Sequence, residues 1–200
     1  LRAPGTTPFC RGLTGHRACV RGRFAACGLE GEGDAMESIL VLESGWRPGL
    51  IGRIIEMHAR YFARSWNFQQ GFEARLAQDL GTFFESFNPQ RDFVLAALED
   101  DRISGSIVID SGDVRGTENQ AELRWFIVDS PGRGVGRRML AAAMDHVDRA
   151  GFASCRLSTF QDPEEARRLY EEFDFRLVGE HQTDFCGAER PCREYLRTPS

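Results

Sequence analysis

From residue 36 onward, apolar residues switch repeatedly between short continuous runs and a 3–4 spacing, and the switches divide the chain into elements. The run SILVLE (38–43) predicts a first strand. Arg47-Pro48-Gly49 then opens a helix whose apolar positions are Leu50, Ile54, Met57 or His58, and Tyr61. A second helix is predicted from Phe72 to Phe87, with Phe72, Leu76, Leu80, Phe83, Phe84 and Phe87 on one stripe; Asn88-Pro89 ends it. FVLAALE (93–99) and ISGSIVID (103–110) flank Asp100-Asp101-Arg102, a hairpin signal. AELRWFIVD (121–129) reads as a long, largely buried strand.

After SPGRGVG (130–136), Val135, Met139, Ala143, Val147 and Ala150 mark a helix capped by Gly151. SCRLSTF (154–160) is a strand, and Pro163 at the first helical position opens a helix with Ala166, Leu169, Tyr170 and Phe173 inward. FRLVGEH (175–181) and REYLR (193–197) are the last strands. The order β-α-α-β-β-β-α-β-α-β-β contains both hairpins and helical crossovers, so the expected class is α/β with a mixed sheet. About 165 residues make one domain, large enough to bury roughly 70% of its unfolded surface.

Composition then removes whole chemistries. The chain has 25 basic residues, all Arg, against 30 acidic ones, for a net charge of -5. Without Lys there is no Schiff-base lysine, no pyridoxal-phosphate anchor and no phosphate-binding P-loop lysine. No run of ~18 apolar residues exists for a membrane span. The mild acidity argues against a nucleic-acid binder. The six Cys and four His show no metal-ligand spacing, and no metal is expected. Reduced cysteines in the cytoplasm are the default.

Residues 1–35 differ from the rest. They hold five Arg and three acids, and half of the cysteines (Cys10, Cys19 and Cys27), with no apolar period. They read as a disordered extension. Two origins stay open: an organellar transit peptide, and non-native upstream translation before a start at Met36.

The turn Gly132-Arg133-Gly134-Val135-Gly136, between a strand and a helix, has the form of an anion cradle. Glycines allow close backbone approach, and the N–H groups of the helix start can donate to phosphate oxygens. Arg133, Arg137 and Arg138 add positive charge. The third glycine comes one residue too soon for a dinucleotide fingerprint, and the turn lies late in the chain.

The whole block LRWFIVDSPGRGVGRRMLAAAMDHVDRAGFASCRLSTFQDPEEARRLYEEFDFRLVGE resembles the GNAT superfamily of acyl-CoA-dependent N-acyltransferases. The resemblance extends forward through MHARYFARSWNFQQGFEARLAQDLGTFFESFNP. That stretch looks like the acyltransferase domain often fused behind MarR-type winged helices, here without one. It implies a GNAT fold over residues 36–200: a mixed, mostly antiparallel sheet of about seven strands flanked by about four helices. It also implies acetyl-CoA as co-substrate. The activity implied is transfer of an acetyl group to an amine of a small molecule or peptide, by direct attack in a ternary complex. A non-catalytic acyl-CoA sensor is the alternative, and a homodimer stays open.

Carried onto this chain, the resemblance puts backbone groups of Phe126, Ile127 and Val128 on the pantetheine arm. The segment Arg133, Gly134, Val135, Gly136, Arg137 and Arg138 falls on the diphosphate. Tyr170 falls where the family's thiolate acid stands, and Glu122 where an acceptor base stands. The family's (Q/R)xxGxG begins here with Pro131, which has no N–H to donate. His58, Tyr61, Trp66 and Phe72 are candidates to line the acceptor cleft.

Overall fold

The computed structural model describes residues 39–112, 119–129, 132–160, 163–186 and 188–199. The expectations placed on residues 1–35 and on Pro131 lie outside them. The elements follow the predicted order: β1 (Leu40–Ser44), α1 (Leu50–Trp66), α2 (Gln70–Glu85), β2 (Phe93–Glu99), β3 (Arg102–Asp110), β4 (Gln120–Val128), α3 (Val135–Arg149), β5 (Ser154–Phe160), α4 (Glu164–Glu172), β6 (Arg176–Phe185) and β7 (Ala188–Arg197). The strands form one seven-stranded sheet in the order β1-β2-β3-β4-β5-β7-β6. Only β4 and β5 run parallel, because α3 carries the chain across between them.

The central strands are apolar almost throughout because both faces of the sheet are covered. One face packs on α3 and α4 through Leu95, Ile107, Ile109, Met139, Leu140 and Tyr195. The other packs on α1 and α2 through Leu50, Ile54, Leu80, Phe83, Val94 and Val108. Between β2 and β3, Asp100 and Asp101 both take positive φ (49° and 66°), the two-residue turn that matches the twist of a hairpin.

Three local expectations are corrected. Tyr61 is 40% exposed, and Phe62 is the residue turned inward. Both positions border the stripe of a 3.6-residue period, and the aromatic rings of Phe68, Phe72 and Phe160 supply the surface that draws Phe62 in. Pro163 precedes α4 instead of opening it: its ψ of 152° is extended, and its carbonyl accepts from the N–H groups of Ala166 and Arg167. The final hairpin is longer than predicted, with Phe185 paired to Ala188. Its polar tip hid it from an apolar pattern. Pro191 is tolerated inside β7 because pairing with β5 stops one residue later, at Phe160↔Cys192.

Helix α4 ends in a Schellman motif. The Phe175 N–H donates to the Tyr170 carbonyl (3.1 Å) and the Asp174 N–H to the Glu171 carbonyl (3.1 Å). Asp174 holds φ at 64°, where Gly is the unstrained residue. Asp174→Gly is therefore expected to stabilise the fold by about 0.5–1 kcal/mol, the relief of αL strain less the entropy of a freer unfolded chain. Urea denaturation checks it: the midpoint should rise with an unchanged slope.

Candidate active site

The site begins where two strands part. Parallel pairing of β4 with β5 runs from Gln120↔Ser154 to Leu123↔Leu157 and stops there. Beyond Leu123, β4 stays paired only on its β3 side, through Arg124↔Val108, Ile127↔Ser106 and Val128↔Gly105. Trp125 and Phe126 together face the single residue Ile107, which makes a β-bulge with Trp125 at a φ of 46°. The Ser106 hydroxyl donates to the Trp125 carbonyl at 2.9 Å and holds the bulge. The bulge shifts the strand's alternation by one: Trp125 and Ile127 join the α1–α2 face, whereas Phe126 and Val128 join the α3–α4 face.

The glycine turn lies at the end of the same strand. Gly132 and Gly134 have φ of 108° and 69°, and a Cβ at either would meet no atom within 4 Å. Gly134 precedes Val135, the first residue of α3, and no side chain caps that helix start. The first N–H groups of α3 thus lack intrahelical partners. A Cβ built on Gly136 would lie 3.5 Å from Phe126 and 3.8 Å from Val128, so the first turn of α3 sits against the end of β4. Open space over two glycines beside an uncapped helix start fits a diphosphate. Of the three arginines expected to reinforce the turn, Arg133 is ion-paired with Glu99 and Arg137 with Glu172. Arg138 is exposed.

A cavity of about 360 Å³ opens at the splay. Glu122 and Tyr170 both line it, as do Phe126 and, from the helices beneath, His58 and Phe72. Tyr61 and Trp66 do not. Tyr170 is buried, its ring 6.4 Å from that of Phe126 and 5.7 Å from that of Tyr195. The Glu122 carboxylate lies 4.0 Å from Arg124 Nε, and Arg124 bonds Asp110 at 2.7 Å. Burial pushes the His58 imidazole down to about 4, against the opposing effect of the Nδ1–H bond to the Ile54 carbonyl (2.8 Å). His58 is accordingly neutral at pH 7. Burial also pushes the Cys155 thiol up to about 12, which suits a core residue and not a nucleophile.

Sequence reasoning did not foresee Asp79, Ser158, Thr159, His181 or Cys192 on the cavity wall. His181 and Cys192 are strand partners across the β6–β7 hairpin, and the only available signal was the register of that hairpin. Among the described residues no group of His, Cys, Asp and Glu is arranged to hold a metal, and no helix is long and apolar enough to cross a membrane.

An open mixed sheet, a strand splayed at a bulge and a glycine turn into a helix are the features of the GNAT fold. The chain belongs to the acetyltransferase (GNAT) family, whose sequence profile matches residues 51–175. Several solved structures share its fold. A ribosomal-protein-alanine N-acetyltransferase from Brucella melitensis is 13% identical with a TM-score of 0.64, over 80% of this chain and 99% of that one. An acetyltransferase of the GNAT family from Staphylococcus aureus Mu50 is 16% identical with a TM-score of 0.63, over 80% and 99%. The protein yncA from Salmonella typhimurium, solved with its cofactor acetyl-CoA, is 17% identical with a TM-score of 0.59, over 80% and 93%. No curated protein sequence matches.

Proposed function

We propose that residues 36–200 transfer an acetyl group from acetyl-CoA to an amine of a small molecule or peptide, by direct attack with both substrates bound. The observation that carries this reading is the parting of β4 from β5 at Leu123↔Leu157, with the glycine turn at one end and the cavity beside it. Acetyl-CoA supplies an acetyl group already activated as a thioester. Backbone groups of Phe126, Ile127 and Val128 on the open edge of β4 are assigned to its pantetheine arm. The amides of Arg133, Gly134, Val135, Gly136, Arg137 and Arg138 are assigned to its diphosphate.

An alkyl amine with a pKa near ~10 arrives protonated and must lose a proton before it attacks. Glu122 is assigned as the base that takes this proton, directly or through one water. A strand N–H near Ile127 would donate to the acetyl oxygen as negative charge gathers there. Tyr170 is assigned to donate its phenolic proton to the departing sulfur, which a phenol does without being ionised.

The test is a thermal-shift and thiol-release series. Acetyl-CoA and coenzyme A are expected to raise the melting temperature, by the equivalent of ~2.7 kcal/mol at 100 times Kd, and NAD is not. Free thiol should then appear only when a suitable amine is added. A second reading, a sensor that binds acyl-CoA without turnover, is favoured by the pairing of Arg133 and Arg137 with carboxylates, which leaves less free positive charge at the turn. Stabilisation by acetyl-CoA without thiol release across a broad amine panel would select it.

A further inference from the structure

One wall of the cavity is aromatic. Phe62 on α1, Phe72 on α2, Phe160 on β5 and Phe185 on β6 all line it. Their rings meet in a closed circuit, with centroids 5.0 Å apart from Phe62 to Phe72, 5.9 Å from Phe72 to Phe185, 5.1 Å from Phe185 to Phe160 and 5.8 Å from Phe160 to Phe62. Phe68 backs the circuit and meets all four rings at 4.9 to 5.8 Å. It is buried, whereas Phe62, Phe160 and Phe185 stay half-buried. Ring surface is thus left at the cavity, and the body that covers it best is flat and apolar, such as an aryl group. The volume of about 360 Å³ lies in the small-molecule range.

His58 stands at the edge of this wall. Its ring stacks on that of Phe62, with centroids 6.3 Å apart and planes 16° from parallel. The residue lines the cavity and is more than nine-tenths buried. Its Nδ1 lies 2.8 Å from the Ile54 carbonyl, which can only accept, so Nδ1 carries the ring proton. The neutral imidazole therefore holds a lone pair at Nε2. Among the described residues Nε2 bonds nothing, yet it is not sealed from solvent. An acceptor nitrogen in so buried a ring is costly to leave unpaired, and a group in the cavity is what can pair it.

In this state Nε2 only accepts. It takes an O–H or N–H and has nothing to offer a carboxylate or a carbonyl. The reacting amine is already assigned to Glu122, so the donor is a second group of the substrate. On an aryl body held against Phe62, the compact donor is a phenolic hydroxyl.

We infer that His58 is a specificity-determining residue whose Nε2 accepts a hydrogen bond from the acceptor, and that the acceptor is a small amine built on a hydroxyl-bearing aromatic ring. The inference rests on the acetyltransferase reading of the cavity. It is tested with two acceptor pairs that differ only in the hydroxyl: tyramine against phenylethylamine, and para-(aminomethyl)phenol against benzylamine. In the wild-type protein the phenol of at least one pair should have a KM about 3- to 10-fold below that of its partner, the scale of one neutral hydrogen bond. His58→Leu removes the acceptor atom and should abolish that ratio. His58→Gln carries an amide oxygen at similar reach and should retain part of it.

Equal KM values within both pairs in the wild-type protein would overturn the inference, as would a His58→Leu that keeps the ratio. In either case thiol release from phenylethylamine or benzylamine would leave the acetyltransferase reading standing. Absence of thiol release from every amine would remove that reading and this inference with it. A second measurement needs no variant to fold. In nitrogen NMR of the wild-type protein with coenzyme A, the His58 Nε2 signal should move when the preferred phenol binds and hold still with its hydroxyl-free partner. A signal that responds to both alike, or to neither, counts against the inference.

Discussion

Replacing Tyr170 with Phe is expected to lower kcat for thiol release by at least about 10-fold, toward the ~100-fold low end of the range for losing a positioned acid. The substitution removes one oxygen and keeps the ring, which packs 6.4 Å from Phe126, 6.1 Å from Phe175 and 5.7 Å from Tyr195. The fold should therefore survive, and a thermal melt in the presence of acetyl-CoA verifies it. The measurement is steady-state thiol release with a saturating amine. A fall in kcat with little change in the KM for acetyl-CoA is expected of a group that acts only as the sulfur departs. An unchanged kcat would reject Tyr170 as the acid and leave it as a core aromatic.

The second large effect is on stability. His58 is buried beneath the cavity and titrates near 4 in the folded protein, against 6.5 in an ordinary environment. Below pH 6.5 the unfolded chain takes up a proton that the native protein refuses until about pH 4. Stability is thus fully present above pH 6.5 and falls through the window between the two values. Between pH 7.5 and pH 5 this one group is expected to remove about 2 kcal/mol. Urea melts of the wild-type protein and His58→Gln at both pH values check it. Asp79, Glu122, Arg124 and His181 line the same cavity and are present in both proteins, so the difference isolates His58. Equal losses in the two proteins would show that burial of the imidazole carries no such cost.

The fold was legible because its parts announce themselves locally. FVLAALE and SCRLSTF form strands at the predicted residues, since each is a short apolar or β-favouring run closed by turn residues. The stripe Phe72, Leu76, Leu80 and Phe83 lies inward on α2, because a 3.6-residue period needs only one covering surface. The site was legible in part. Glu122, Tyr170 and Phe126 line one cavity, and the glycine turn adjoins their strand. The ion pairs Arg133–Glu99 and Arg137–Glu172 span 34 and 35 residues, and no local pattern encodes such partners.

The bulge shows the same limit. LRWFIV carries no glycine or proline to mark a break, yet Trp125 leaves the regular strand there. The cause is the neighbouring strand: Ser106 binds the Trp125 carbonyl, and one residue of β3 must face two of β4.

The amino-acid sequence by itself determined the element order, the two-faced core, the absence of lysine chemistry and the glycine turn before α3, because these depend on residue type and short-range spacing. Only the tertiary structure decided where β4 parts from β5 and which aromatic rings line the cavity. Those features depend on strand register and on side chains brought together from distant parts of the chain. A register is a property of two strands at once, so neither strand's sequence specifies it alone.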